Sequence, residues 1–158
     1  MTDEEQRQAV IKEALSWEGT RYHHMGRIKI RRNENGEIVE PGGIDCAQLV
    51  YMVFHNCGLT PEMPLYNYSP QEYLNRNDQK FLKEILGRAH ETKTPLPGDV
   101  VLFWQGRGFG HGGIVMPPGW PTIIHAHQAA DKVMLDDGSQ GQMQGRKKLF
   151  LTIWGDAS

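Results

Sequence analysis

Beyond Pro97 the chain is a succession of short apolar runs rich in Val and Ile, cut by Gly- and Pro-rich breaks, whereas its first half carries apolar residues at helical spacing. Helices followed by several short strands predict an α+β fold, with a helical first half packed on a C-terminal antiparallel sheet of about five to six strands. Strands are expected near Val100–Gln105, Gly112–Met116, Thr122–His127, Val133–Leu135 and Lys148–Trp154. Helices are expected from Thr2 or Asp3 to Trp17, where Val10, Ala14 and Trp17 share a face ahead of Gly19, and from Asp45 to about Cys57, ahead of Gly58. Ser69-Pro70-Gln71-Glu72 reads as a further helix start, and Asp78 to Leu86 puts Phe81, Leu82 and Ile85 on one face. Between them, Arg27 to Glu40 places Ile28, Ile30, Ile38 and Val39 around Asn35-Gly36, the pattern of a β-hairpin. Its basic Arg27, Lys29, Arg31 and Arg32 face Glu34, Glu37 and Glu40 and read as a self-neutralising solvated surface. Neither an internal repeat nor a dividing linker interrupts residues 1–158, which read as a single domain.

Composition narrows the class. A chain of 158 residues, 39% of them hydrophobic, has enough apolar surface for one sizeable core without staples. The formal charge of -2 offers no attraction to a polyanion, which excludes nucleic-acid binding as the main role. No apolar run approaches the roughly 20 residues of a membrane span, and the acidic, polar start does not resemble a signal peptide. Synthesis in the cytoplasm is therefore expected. The two cysteines offer no disulfide framework, and Cys57 is expected in the core.

Cys46 carries the first chemical signal. In Gly43-Ile44-Asp45-Cys46-Ala47-Gln48, Asp45 is a good N-cap and Gln48 sits where a capping box needs it, so a helix should begin at Cys46. The thiol then lies among unpaired backbone N–H groups, whose partial positive charge favours the attacking thiolate. Leu49, Val50, Val53 and Cys57 continue an apolar stripe at helical spacing, so the sulfur points toward the packed side.

Two histidines downstream complete a nucleophilic arrangement. His111 opens an apolar run after the glycine-rich Gly106–Gly110, and His125 lies in Thr122-Ile123-Ile124-His125-Ala126-His127, across the turn Pro117-Pro118-Gly119-Trp120-Pro121. Antiparallel pairing of those strands would bring His111 and His125 together as base and orienting group for a thiol. A competing arrangement is a zinc hydrolase. His125 and His127, one residue apart on a strand, share a face and with His111 would offer three ligands and an open fourth position, with Cys46 as a further ligand. A third alternative is a structural or scaffold component that keeps the fold without catalysis.

At these residues the sequence resembles the NlpC-type cell-wall endopeptidases, papain-like cysteine peptidases of bacteria and their phages. The matching pieces, in the family's order, are Gly19-Thr20-Arg21-Tyr22, Asp45-Cys46, Pro97-Gly98-Asp99-Val100-Val101-Leu102-Phe103, His111-Gly112-Gly113-Ile114-Val115 and Ile123-Ile124-His125-Ala126. The resemblance implies a papain-like fold with Cys46 as nucleophile, His111 as general base and His125 as the third, orienting residue. Tyr22 falls where the family carries a tyrosine that helps bind the oxyanion, and His23, Asp45 and His127 complete the candidate oxyanion and substrate-binding set. The implied substrate is the stem peptide of peptidoglycan, cut between D-Glu and the following diamino acid. That chemistry calls for no metal and no organic cofactor. Ala47 departs from the serine usual after the nucleophile. Tyr22-His23-His24-Met25-Gly26, the lengthened segment before Cys46 and Trp120-Pro121 look most like the phage or prophage tail branch, which implies tail proteins as partners and delivery in a virion.

Overall fold

The computed structural model describes residues 1–60, 87, 89–105 and 108–155. The helices expected from Ser69 and over Asp78–Leu86 lie outside the described residues. Helix α1 spans Asp3–Leu15 and starts with a reciprocal capping box: Glu5 N donates to the Thr2 hydroxyl at 3.1 Å, and Thr2 N donates to the Glu5 carboxylate at 3.3 Å. The helix stops at Leu15, before the expected Trp17, where the Ser16 hydroxyl turns back onto the Glu13 carbonyl. Trp17 is nevertheless buried, its indole N–H donating to Glu13 Oε2 at 2.7 Å.

The following segment folds as two small antiparallel pairs. Strand β1 (Arg27–Ile28) pairs with β4 (Gly43–Ile44), and β2 (Arg31–Arg32) pairs with β3 (Ile38–Glu40) across the expected Asn35-Gly36 turn. Only part of the basic run is a solvated surface. Arg31 does meet Glu40 at 3.4 Å in solvent, but Lys29 Nζ reaches Glu13 Oε2 at 3.0 Å, and the Arg27 guanidinium lies 4.4 Å over the Tyr51 ring. The long stems of these cations cover apolar surface of the helices, a use of Lys and Arg that sign-counting alone does not disclose.

Helix α2 (Cys46–Asn56) buries Leu49, Val50, Val53 and Phe54 and ends before Gly58, which takes φ +73°. Cys57 is half-buried at the end of this helix, packed on the core's margin rather than in it. Both cysteines are free.

The second half forms one antiparallel sheet: β5 (His90–Thr92), β6 (Val100–Gln105), β7 (Gly108–Val115), β8 (Thr122–His127), β9 (Lys132–Asp137), and, after a short 3-10 turn η1 (Gly141–Met143), β10 (Lys148–Thr152). Six strands lie in the order β5-β10-β6-β7-β8-β9. Strand β5, only His-Glu-Thr, has no apolar alternation to reveal it. Alternate residues divide the core. Val100, Leu102, Ile114, Ile124, Ala126 and Val133 pack with the two helices, whereas Val101, Phe103 and Ile123 pack with Met143 of η1 on the other side. Burial on both faces makes β6 a continuous apolar run, as it reads in the sequence.

Pro97-Gly98-Asp99 serves this architecture. Asp99, 1% exposed, accepts from Arg7 Nη1 at 3.0 Å and from Leu96 N at 2.8 Å, tying α1 to the start of β6. At the sheet's far edge the outer rim of β9 is closed by the segment before β1: Gly19 N donates to Val133 O at 2.9 Å, Val133 N to Thr20 O at 2.8 Å, and Tyr22 N to Asp131 O at 2.9 Å. Among the described residues no helix is long and apolar enough to cross a membrane.

Candidate active site

Cys46 occupies the first position of α2, as its capping residue dictates. Asp45 is extended (φ -105°, ψ -179°) and accepts from Gln48 N at 2.9 Å. The expected return bond of a capping box is replaced, because the Gln48 side chain accepts from Arg27 Nε instead. Cys46 is 5% exposed, and its Sγ lies 3.9 Å from the carbonyl oxygen of Gly110, the residue just before His111. Strand β7 thus starts at Gly108, earlier than the expected Gly112, and the extra residues bring its near end over the helix start.

The β7–β8 pair brings the two histidines into contact. Ile114 pairs with Ile124 and Val115 with Ile123, which makes His125 a diagonal neighbour of His111. His111 Nε2 lies 2.7 Å from His125 Nδ1, with the rings edge to face. Gly113 makes room: a Cβ there would stand 2.9 Å from Ile124 O and 3.2 Å from the Cβ of His125. Behind His125, its Nε2 lies 3.0 Å from Asp136 Oδ2 on β9.

These contacts set the protons. Burial first, then the charges of His125, His127 and Arg146, hold His111 well below the ordinary imidazole range. Burial also lowers His125, against the opposing pull of Asp136. Both rings therefore rest neutral near pH 7. A carboxylate only accepts, so His125 carries its proton on Nε2 and offers Nδ1 as a lone pair; His111 must then carry its own proton on Nε2. Nδ1 of His111 is left bare, the ring atom able to take a thiol proton.

Asp136 is the member that sequence reasoning missed. The expected strand stopped at Leu135, but β9 runs to Asp137, with Ile123 opposite Asp136 and His125 opposite Met134. Extending the strand one residue past Leu135 would have placed Asp136, on the face of Met134, diagonal to His125.

The remaining candidates separate. Tyr22 is half-buried against the core, and its phenol pKa is raised by burial and then by the charges of Cys46 and Asp45, so it stays a hydroxyl donor beside the thiol. Asp45 serves the helix start. It is fully buried, and besides capping α2 it accepts from Met25 N at 2.7 Å and stands 3.7 Å from His24 Nδ1, so it fixes the 23–26 loop to the helix start. His23 is exposed beside it, Nδ1 3.1 Å from the His24 carbonyl oxygen. His127 is half-buried next to the His125 ring, at 4.9 Å between centroids. The three-histidine zinc site does not form, because His111 turns Nε2 onto a nitrogen of His125; among the described residues the ligand atoms that converge are those of His125, His127 and Asp136.

The family model of the NlpC/P60 family matches residues 19–151. The chain belongs to the NlpC/P60 family. Solved NlpC/P60-like structures share its fold. The P60 domain of antigen MAP1204 from M. avium subspecies paratuberculosis is 18% identical, with 95% of this chain and 96% of that chain covered and a TM-score of 0.56. The peptidoglycan hydrolase RipB from Mycobacterium tuberculosis is 18% identical over 97% of this chain and 67% of that chain, with a TM-score of 0.55. An N-acetylmuramoyl-L-alanine amidase from Bacteroides uniformis is 12% identical over 93% of this chain and 98% of that chain, with a TM-score of 0.54. No curated protein matches the chain. The two helices and six-stranded antiparallel sheet of the described residues are thus the papain-like NlpC/P60 arrangement.

Proposed function

We propose that this chain is a cysteine endopeptidase of peptidoglycan stem peptides, with Cys46 as nucleophile, His111 as base and then acid, and His125 holding His111. The observation that carries this reading is the thiol at a capped helix start, beside Gly110, combined with the hydrogen-bonded series His111, His125, Asp136. The Cys46 proton passes to His111 Nδ1 as sulfur bonds to the carbonyl carbon. Backbone N–H at the start of α2 and the Tyr22 hydroxyl receive the resulting oxyanion. Collapse expels the amine, which leaves with the proton held by His111. Water then gives a proton to His111 and its oxygen to the thioester, releasing the carboxylate and restoring the thiol.

Membership of the NlpC/P60 family and the names of two structural neighbours, a peptidoglycan hydrolase and an N-acetylmuramoyl-L-alanine amidase, support the substrate class. The favoured bond joins D-Glu to the diamino acid. The amidase neighbour favours a second reading, cleavage at the first L-Ala. Incubating sacculi and defined muropeptides with the wild type and with Cys46→Ala, followed by mass spectrometry, identifies the new termini. A free amine on the diamino acid in the wild type alone supports the first bond, and one on L-Ala transfers the reading to the second. If neither protein cleaves, the non-catalytic alternative replaces both.

Delivery in a phage or prophage tail is part of the same proposal and rests on the resemblance around Tyr22–Gly26 and Trp120-Pro121. Immunoblotting of purified virions from an induced lysogen tests it. Absence of the chain from tails would remove the tail partners.

A further inference from the structure

On the sheet face away from the helices, the rear of the His111–His125–Asp136 series is a converging set of metal-binding atoms. His125, His127 and Asp136 each offer one ligand atom, all within 4.8 Å of one another. Two imidazoles and one carboxylate suit a borderline divalent ion such as Zn2+, which takes such ligands at about 2.0–2.2 Å. Three tetrahedral ligands at that radius stand about 3.3–3.5 Å apart. His125 Nε2 and Asp136 Oδ2, at 3.0 Å, stand a few tenths of an ångström inside that spacing and need only move slightly apart. His127 has to close the remaining distance. Its ring is half-buried at the end of β8 and makes no hydrogen bond to a described residue, so a side-chain rotation suffices. An open hollow of about 510 Å³, lined by His127, Asp136, Ala129, Ala130, Gln140 and Met143, gives an ion and its waters access from solvent.

We infer that His125, His127 and Asp136 form a Zn2+ site that switches the enzyme off. Coordination uses the lone pair of His125 Nε2, so the ring changes tautomer: the Nε2 proton leaves to solvent, Nδ1 takes the proton that His111 held on Nε2, and His111 takes one from solvent on its own Nδ1, with no net change in bound protons. Asp136 turns from hydrogen-bond acceptor to ligand. His125 is no longer held by the carboxylate, and the ordered protons that leave His111 Nδ1 bare are lost. The ion is an inhibitor here, not the agent of hydrolysis. It lies behind His125, on the side away from His111.

The binding half of this inference stands apart from activity, whereas the inhibition half rests on the proposed peptidase function. Calorimetric titration with Zn2+ should give one ion per chain in both the wild type and Cys46→Ala. His127→Ala and Asp136→Asn should each weaken binding at least tenfold, and His90→Ala should leave it unchanged. The wild-type Co2+ complex should show d–d absorption without a thiolate charge-transfer band, a readout independent of whether any variant folds. Loss of binding in Cys46→Ala, a thiolate band, or wild-type affinity in His127→Ala would overturn the site. Muropeptide hydrolysis should fall along the same Zn2+ titration and return with EDTA. Full hydrolysis by the Zn2+-loaded wild type would overturn the switch, whereas Zn2+ binding by a chain that never hydrolyses muropeptides would overturn the peptidase reading and leave the site intact.

Discussion

Asp136 Oδ2 stands 3.0 Å from His125 Nε2, so a residue with no reach to the thiol governs which nitrogen of His111 is bare. The pair couples a half-exposed carboxylate, 32% accessible, to a fully buried ring. Losing a hydrogen bond to a charged group costs about 1.5–3 kcal/mol, which corresponds to roughly ten- to a hundredfold in rate. Asp136→Ala should lower kcat/KM by that amount. Asp136→Asn, whose amide oxygen still accepts from Nε2–H, should retain more. Equal activity of Asp136→Ala and wild type in steady-state kinetics would sever Asp136 from the mechanism.

His125 and His127 share a face of β8, but only His125 meets His111. His125→Ala should lose most activity, and His125→Asn or Gln should keep a measurable share, since their carbonyls can accept the His111 Nε2 proton. Loss in His127→Ala should be mild. Because an orienting group acts through the base, His125→Ala added to His111→Ala should cost little beyond His111→Ala alone. A crippled His127→Ala beside an unaffected His125→Ala would move the third residue by two positions.

The two thiols should differ in their response to pH. Burial, and after it the Glu13 carboxylate, pushes Cys57 up to about 11, with Lys29 opposing. At pH 8 only about one Cys57 in a thousand is then thiolate, and its alkylation should rise roughly tenfold per pH unit toward that value. Iodoacetamide mapped by peptide mass spectrometry should modify Cys46 first at neutral pH. Cys57 reacting first would contradict an activated Cys46.

Asp99 should matter to folding rather than to chemistry. Its carboxylate and the Arg7 guanidinium are 1% and 7% exposed, and removing one partner of a buried ion pair costs about 3–5 kcal/mol. Asp99→Ala should show that loss in chemical denaturation, with normal kcat in the fraction that folds. An undiminished unfolding free energy would mean that water or a neighbour replaces the pair.

Legibility followed the range over which each signal acts. The start of α2 was readable because Asp45 and its bond to Gln48 N are three residues apart. The strands carrying His111 and His125 were readable from apolar runs on either side of a Pro-rich turn. Asp136 was not, because its role depends on the register of β8 against β9 and lies beyond the last apolar residue of its run. The reach of Arg27 and Lys29 back to the helices was hidden for a similar reason: charge order along a hairpin says nothing about which way long side chains fold over. Asp45 reads in the sequence as the cap of α2, and the structure shows that bond together with a second one, to Met25 N, that joins a distant loop and leaves no local signal.

The strap of residues 19–22 along β9 has a mechanical consequence. The same strand anchors Asp136 at one end and, through Asp131, the backbone of Tyr22 at the other. An outermost strand is ordinarily the first to fray and the first to recruit a foreign strand. Here fraying would unseat Asp136 and Tyr22 together, so under the proposed mechanism wear at this margin produces molecules that are wholly competent or wholly inert, with few crippled intermediates.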